Sequence, residues 1–204
     1  MIEKKPDIIG KILEIKRKWK EKDKLSKEEK ERLKRETYLW ARKAVEKRHF
    51  FFVSELYEIV DDEVREFLFD LMLKEKLSFL AVMVGEKLSP ERLKRKGEKL
   101  IHLLLQKAEP SLVIKGTKLV GKELTESEKS YLLERYIKEG NLEYAIETAK
   151  IANIKLTSRD FERIIAQAIK KGFEEDAEKA AKLCGRSLTL AEKILLYENI
   201  SKED

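Results

Sequence analysis

The sequence is poor in the residues that interrupt or cross-link a chain. It has one cysteine, Cys184, three prolines and eight glycines among its 204 residues. A single cysteine cannot form an internal disulfide, and it excludes every cysteine-based metal cage. The scarcity of proline and glycine, together with 42% hydrophobic residues, excludes fibrous and disordered chains. Asn and Gln total only five, whereas Lys and Glu dominate, a balance typical of thermophile proteins.

Long uncharged runs are also missing. The longest, Leu77 to Gly85, is far shorter than the roughly 20 residues of a membrane span. The N-terminal residues do not contain the apolar core of a secretion signal. These absences predict a cytoplasmic protein without membrane contact.

Positive charge is concentrated in the first quarter of the chain. The whole chain has a net charge of +6 with neutral histidines, while residues 1–50 hold 18 basic and 10 acidic side chains. The densest group of cations surrounds Trp19 and includes Lys16, Arg17, Lys18 and Lys20. It indicates either a surface for phosphate or an acidic partner, or the solvated face of a helix. The buried stripe of that helix would be Ile8, Ile12, Ile15 and Trp19.

Six pairs of adjacent residues, each an apolar residue followed by Ser, Thr or Asp, mark predicted helix starts. They are Leu25-Ser26, Val60-Asp61, Leu88-Ser89, Leu124-Thr125, Leu156-Thr157 and Leu188-Thr189. The second side chain can accept a hydrogen bond from a free amide of the first turn. In four pairs an acid follows three residues later, which favours the positive helix start: Glu29, Glu128, Asp160 and Glu192. The intervals between successive starts indicate an internal repeat of about 32 residues.

The last two complete units align without a gap, residues 124–155 on residues 156–187. The identical small residues of the two units are Gly140 and Gly172, Ala145 and Ala177, and Ala149 and Ala181. The glycine permits the left-handed turn that ends a helix, and the alanines, one turn apart, allow close packing of a neighbour. A further unit begins at Leu188 and stops after one helix, as a terminal cap does.

Two segments of these units resemble known helical repeats. They are YLLERYIKEGNLEYAIETAK (Tyr131–Lys150) and RIIAQAIKKGFEEDAEKAAK (Arg163–Lys182). Over residues 124–204 the shared Gly, acid, Ala turn resembles the tetratricopeptide and pentatricopeptide αα-repeat families. The period is shorter than the roughly 34 residues of a tetratricopeptide unit, whose Trp, Tyr and Pro signature positions are absent. The resemblance implies a stacked scaffold with a concave binding face and leaves its ligand open.

Residues 110–122 are the one stretch with strand character. Their sequence, PSLVIKGTKLVGK, places short apolar runs on both sides of Lys-Gly-Thr-Lys. The pattern predicts a β-hairpin over residues 111–120, and Gly116 and Gly121 favour it over a helix. The alternative is the second helix of a degenerate repeat.

With a hairpin after three predicted helices, residues 61–122 resemble a winged-helix module. The marks of its helix-turn-helix are Leu80-Ala81, Gly85, Ser89 and Leu93, with two extra residues between Gly85 and Ser89. This weaker resemblance implies that the helix from Pro90 recognises nucleic acid and that the hairpin is a wing. The implied contacts are Arg92, Lys94, Arg95, Lys96 and Lys99 on the helix and Lys115 and Lys118 on the wing. The competing interpretation is a solvated basic face, with Ala81 and Gly85 as the small pair of a repeat.

These patterns predict a mainly α-helical, solenoid-like array of αα repeats with one small β-hairpin near residues 111–120. Three regions are expected. Residues 1–59 form a basic helical region, residues 60–123 a helical region with the hairpin, and residues 124–204 the αα repeats with a terminal capping helix.

No combination of residues indicates catalysis. Residues 116–122 match the spacing of a phosphate-binding loop, but Glu123 stands where that loop needs a hydroxyl. His49 and His102 are far apart in the sequence, with no carboxylate at metal-ligand spacing. Since no nucleophile, base and orienting group come together, the sequence predicts neither an enzyme nor a metal or cofactor site.

The charge distribution and the element order lead to one functional hypothesis. The sequence predicts a non-catalytic binding protein whose basic N-terminal half contacts nucleic acid or a nucleoprotein complex and whose repeats hold a protein partner. The alternative is a protein-protein scaffold in which the lysines serve solubility and heat stability. The run Phe50–Val53 is either core or the surface of a homodimer.

Overall fold

A computed structural model of the chain describes residues 7–201, and it confirms that the chain is mainly α-helical. In this range there are twelve α-helices, one short 3₁₀ helix at Lys22–Lys24 and no strand. No helix in it is long and apolar enough to cross a membrane. The α-helices are α1 (Ile8–Lys20), α2 (Lys27–Glu46), α3 (Phe50–Ser54), α4 (Asp62–Lys74), α5 (Ser78–Gly85), α6 (Pro90–Lys107), α7 (Pro110–Val120), α8 (Glu126–Glu139), α9 (Leu142–Ala152), α10 (Ser158–Lys170), α11 (Glu174–Leu183) and α12 (Leu190–Ile200).

Side-chain caps define five of the six predicted helix starts. Four starts have a reciprocal capping box, in which the cap hydroxyl accepts from the third helical amide and the acid accepts from the cap amide. The boxes pair Ser26 with Glu29, Thr125 with Glu128, Thr157 with Asp160, and Thr189 with Glu192. Asp61 caps α4 by accepting from the Val64 amide at 3.0 Å, whereas α6 begins at Pro90 without a side-chain cap. The starts of α8, α10 and α12 are evenly spaced along the chain, as predicted.

The helices belong to two compact units. The first runs to Ala108 and includes Leu112–Lys122, and the second includes Glu109–Ser111 and the chain from Glu123 onward. In the first unit α1 contacts α2, α4 contacts α5, and α5 contacts α6. In addition, α2 contacts α4, α4 contacts α6, and α3 contacts α1, α2 and α5. Each of α1 to α6 is therefore covered by more than one neighbour.

The predicted buried stripe of α1 forms part of the first core. Ile12, Ile15 and Trp19 are buried, while Ile8 at the start of the stripe is half-buried. The indole N–H of Trp19 donates to the Thr37 hydroxyl at 2.9 Å, so this buried polar group is satisfied. The stripe therefore faces α2.

In the second unit α8 packs on α9 and α10 on α11, while α10 also contacts α8 and α12, and α9 contacts α11. The predicted small residues of α9 and α11 are buried: Ala145, Ala149, Ala177 and Ala181. Gly140 ends α8 with φ of 67°, and a Cβ there would lie 2.7 Å from the backbone nitrogen of Ala168. Both the left-handed turn and the close approach of α10 therefore require glycine at this position.

The predicted β-hairpin at residues 111–120 is wrong, because this segment is the continuous helix α7. The segment is helical, as the alternative interpretation required. Gly116, which disfavours an isolated helix, lies against α6, where a Cβ would overlap Cδ1 of the fully buried Leu104. Close packing here outweighs the low helix propensity of glycine.

Two functional hypotheses depended on a different structure at this position. Lys115 and Lys118 lie on α7, and the described residues contain no strand that could form a wing. The winged-helix interpretation required that hairpin. Residues 116–120, which lie in the segment that matches the spacing of a phosphate-binding loop, are helical as well.

The Phe50–Val53 run is divided between core and surface. Val53 is buried, Phe50 and Phe52 are half-buried, and 69% of Phe51 is exposed. The interpretation as core therefore holds for Val53, and Phe51 is a surface residue of α3.

Gly97 lies inside α6, and the helix continues past it to Lys107. A Cβ on Gly97 would overlap the side chain of Val120 on α7. Gly97 and Gly116 therefore both permit the close contact between α6 and α7.

Replacing Gly97 or Gly116 with alanine should destabilise the first unit, even though alanine is the better helix former by about 1 kcal/mol. The added methyl group overlaps Val120 or Leu104, and overpacking of this kind costs about 1–3 kcal/mol. Urea unfolding followed by circular dichroism measures the change. Lys94→Ala, at an exposed position of α6, is the control and should change the free energy of unfolding by less than about 0.5 kcal/mol. Unchanged stability in both glycine variants would contradict the close α6–α7 contact.

Arg186, between α11 and α12, connects α10 with α12 in the second unit. Its guanidinium donates to Glu162 of α10 at 2.6 and 2.7 Å and to Glu192 of α12 at 2.8 and 2.9 Å. These hydrogen bonds lower the pKa of Glu192 to about 2. Because the folded-state pKa is below the unfolded value, the Glu192 carboxylate stabilises the fold above the unfolded pKa, and this contribution is lost as the pH falls toward 2.

Glu192→Gln should therefore lower the free energy of unfolding at pH 7 by about 1 kcal/mol and reduce the loss of stability on acidification. The pH window is from about 4.5, the usual glutamate value, to about 2. Thermal unfolding of both proteins across this range measures the effect. Glu178→Gln, at an exposed position of α11, should leave the pH profile as in the wild type. If acidification lowers the stability of Glu192→Gln and of the wild type equally, the Glu192 carboxylate does not make the proposed contribution to stability.

Candidate nucleic-acid interface

The eleven cations predicted to contact nucleic acid fall into two groups. Six form ion pairs with carboxylates of the chain: Lys16, Lys18, Arg92, Arg95, Lys96 and Lys115. The other five have no carboxylate oxygen of residues 7–201 within 4.0 Å: Arg17, Lys20, Lys94, Lys99 and Lys118. The sequence pattern alone did not distinguish these groups.

On α1, two of the predicted cations connect neighbouring helices. The ammonium nitrogen of Lys16 lies 2.6 Å from Glu55, which follows α3. That of Lys18 lies 2.6 Å from Glu14 on the same helix and 3.2 Å from Glu36 on α2. The hydrogen bond to Glu14 makes the largest contribution to a raised pKa of Lys18, so this ammonium group is held in its charged form. The other two predicted cations of α1, Arg17 and Lys20, are exposed.

The first half of α6 directs its cations toward α4. Arg92 pairs with Glu66, and Lys96 pairs with Asp70 and, at 3.1 Å, with Glu66. Burial would raise the pKa of Glu66, but hydrogen bonds and charge from Lys96 and Arg92 lower it overall. Arg95 lies 3.6 Å from Glu66 and remains 67% exposed. Because the paired residues advance by four on both helices, α4 and α6 run in the same direction.

The predicted cations of α7 and Lys94 of α6 are not part of these α4–α6 ion pairs. Lys115 lies 2.8 Å from Glu86, which follows α5. Lys118 and Lys94 are exposed. Neither of them lines the cavity described next.

A cleft with a volume of about 410 Å³ lies between the second halves of α4 and α6. We call it the basic cleft and define it by Lys74, Lys76, Lys96 and Lys99. His102 and Gln106 extend its polar lining along α6, and Leu73 and Leu103 supply apolar surface. Its one carboxylate is Asp70. Four lysines against one acid give the cleft an excess of positive charge.

Three lysines of the basic cleft are available to a ligand. Asp70 is already paired with Lys96. Lys74, Lys76 and Lys99 have no carboxylate oxygen within 4.0 Å in the described part of the chain. Adjacent unpaired ammonium groups raise the local potential and attract polyanions. Lysine ammonium groups of this kind can bind phosphate as point charges.

His102 adds a possible hydrogen-bond donor to the same helix face. Its Nε2 lies 2.9 Å from the side-chain nitrogen of Gln106, one turn later. In the tautomer that accepts at Nε2, the proton is on Nδ1, which can donate to a ligand.

Lys74 and Lys76 were missed in the sequence, although α4 contains a signal for them. Glu66, Asp70 and Lys74 are spaced by four and therefore share one face of α4. The charge on this face changes from negative to positive at Lys74. The change from acidic to basic residues indicates a basic cleft only when α6 is known to lie beside that face of α4.

The second unit has a larger groove, of about 800 Å³, between α9 and α11. Its apolar residues are Leu142, Ile146 and Leu183, its acids Glu143, Glu147, Glu175 and Asp176, and its lysines Lys150, Lys179 and Lys182. Burial raises the pKa of Asp176, which also accepts a hydrogen bond from the Leu142 amide. With four acids against three lysines, this groove does not have the excess of positive charge that the basic cleft has.

The metal-ligating side chains and the single cysteine complete the description of the candidate sites. No group of three His, Cys, Asp or Glu residues within 7–201 could hold a metal ion. Desolvation and the neighbouring Glu162 raise the pKa of the Cys184 thiol, which favours its unreactive protonated form.

Comparisons with known proteins find no match to this chain among protein-family models, curated proteins or solved structures. The interpretation of the site therefore depends on the contacts, charges and cavities of the chain itself.

Proposed function

We propose that this chain is a non-catalytic binding protein that contacts nucleic acid, alone or in a nucleoprotein complex, through the basic cleft. The observation that carries the proposal is the group of three lysines, Lys74, Lys76 and Lys99, without acidic partners in residues 7–201. Surface lysines of a charge-rich chain are ordinarily interspersed with acids. An uncompensated group in a concave site favours a ligand with several negative charges.

The chemistry of the cleft favours contact with the phosphate backbone. Lysine ammonium groups act as point charges on phosphates and carry no base-sequence information. The two arginines of α6 that could form bidentate contacts, Arg92 and Arg95, lie toward Glu66 of α4. Binding would therefore be weakly dependent on base sequence and strongly dependent on salt.

The second part of the proposal is a stacked array of αα repeats that holds a protein partner. It is supported by the regular spacing of α8, α10 and α12 and by the contacts of α10 with both of the other two helices. The resemblance of residues 124–204 to tetratricopeptide and pentatricopeptide repeats agrees with it. The groove between α9 and α11 is the candidate surface for that partner.

The alternative is a protein-protein scaffold that does not bind nucleic acid. It is favoured by the six predicted cations that form ion pairs, since paired lysines and arginines stabilise contacts between helices. Ion-pair networks of this kind serve heat stability. In this alternative the basic cleft has no ligand.

Substituting alanine for Lys74, Lys76 and Lys99 together distinguishes the two functions. Fluorescence anisotropy with labelled duplex DNA and single-stranded RNA, over a salt series, measures the affinity and its salt dependence. If all three lysines contact phosphates of duplex DNA, the slope of log K against log salt falls by about 3, because each contact contributes about 0.9. For a single strand the expected decrease is about 2.

The matched control substitutes alanine for Lys27, Lys47 and Lys87, three exposed lysines of the first unit that do not line the cleft. It removes the same net charge and should leave most of the binding intact. Equal losses in the two variants would contradict a specific cleft. No binding by the wild type at about 50 mM salt would exclude nucleic acid and leave the scaffold.

A further inference from the structure

The last described helix, α12, has an apolar stripe that is largely exposed. Only the Tyr197 hydroxyl of the stripe has a hydrogen-bond partner among the described residues, Glu174 of α11 at 3.2 Å. Leu190, Ile194 and Tyr197 are 76%, 51% and 55% exposed. Their spacing of four and three places them on one side of the helix. Leu196, on the opposite side, is buried, and the side-chain amide of Asn199 donates to the Ile169 carbonyl of α10 at 3.1 Å. The stripe therefore faces away from α10.

Comparison with α10 shows that this stripe is unusual for its position. When the two helices are aligned by the repeat, Leu190 corresponds to Ser158 and Ile194 to Glu162. In α10 both positions contact residues that follow α11. The Cys184 thiol donates to the Ser158 carbonyl at 3.8 Å, and Arg186 donates to Glu162. Positions that are polar in α10 are thus apolar in α12, although they are exposed in both helices.

A helix that only closes an array needs a polar outer face, because that face meets water. The outer face of α12 instead has the pattern of a helix-helix contact. In a coiled-coil heptad, whose positions are labelled a to g, Leu190 and Tyr197 occupy position d. Ile194 and Ser201 occupy position a. The face is therefore suited to a second helix that packs along it.

The charges beside the stripe identify that second helix. Lys193 and Glu198 flank the stripe on opposite sides, at positions g and e, and are five residues apart. Both are exposed, and neither has an oppositely charged partner within 4.0 Å in residues 7–201. In a parallel pair of helices, a g residue faces the e residue five positions further on in the partner.

We infer that α12 is the contact surface of a symmetric homodimer in which the two α12 helices pack side by side in the same direction. Leu190, Ile194 and Tyr197 form the apolar seam with their counterparts. Lys193 of each copy pairs with Glu198 of the other, which gives two equivalent ion pairs. An antiparallel pair would instead place Lys193 against Lys193 and Glu198 against Glu198, so the charge pattern selects the parallel arrangement.

Sedimentation equilibrium tests this dimer. The weight-average mass of the wild type should rise with concentration from 24.0 kDa toward twice that value. The variant Leu190→Ser/Ile194→Glu has the residues that α10 carries at the same positions and should remain monomeric. Leu39→Glu, at an equally exposed position of α2, should dimerise as the wild type does. A wild type that stays at 24.0 kDa up to about 1 mM, or a double variant that still dimerises, overturns the inference.

Charge reversal tests the parallel arrangement. Lys193→Glu or Glu198→Lys alone places like charges across the seam and should raise the dissociation constant about tenfold. The two changes together restore opposite charges and should return it to within about twofold of the wild type. Failure of the double reversal to recover dimerisation overturns the parallel pairing, and circular dichroism of each variant verifies that the helices are retained.

Discussion

Burial of one apolar stripe per helix is the constraint on which the structure depends. The helices are between 5 and 20 residues long, and most helices of such length are not stable alone in water. Within each unit the helices therefore pack on helices one or two places away in the sequence, such as α1 on α2 and α8 on α10. Glycine and alanine at the crossing points, such as Gly97 and Ala177, determine how closely the helices approach.

This packing also determines which charges are available to ligands. Helix α4 lies against both α2 and α6, and its acids face both. Glu63 pairs with Lys34 of α2 at 2.7 Å, while Glu66 and Asp70 pair with cations of α6. Beyond Asp70 the same face of α4 continues with Lys74, so the facing part of α6 meets no further carboxylate there. The basic cleft thus begins where the acids of α4 end.

Local rules predicted the helix starts and failed at α7. A capping box such as Thr125 with Glu128 is complete within four residues, so the sequence contains all of it. The helical state of residues 110–120 depends instead on Leu104, which packs against Gly116. Strand propensity and the two glycines gave the opposite prediction, because neither includes that neighbour. For the same reason the sequence did not reveal that three of the predicted cations form ion pairs. Their partner Glu66 is distant from α6 in the sequence and lies on α4.

The sequence by itself determined the mainly α class, the helix starts, their regular spacing and the positions of the small residues. These properties depend on hydrogen bonds and side-chain spacing within about one helical turn. Only the tertiary structure decided that residues 110–120 are helical, that Lys74, Lys76 and Lys99 lack acidic partners in the described chain, and that the stripe of α12 is exposed. Each of these properties depends on which helices become neighbours. An apolar stripe shows that one side of a helix will be buried, but it does not identify the helix that will pack against it.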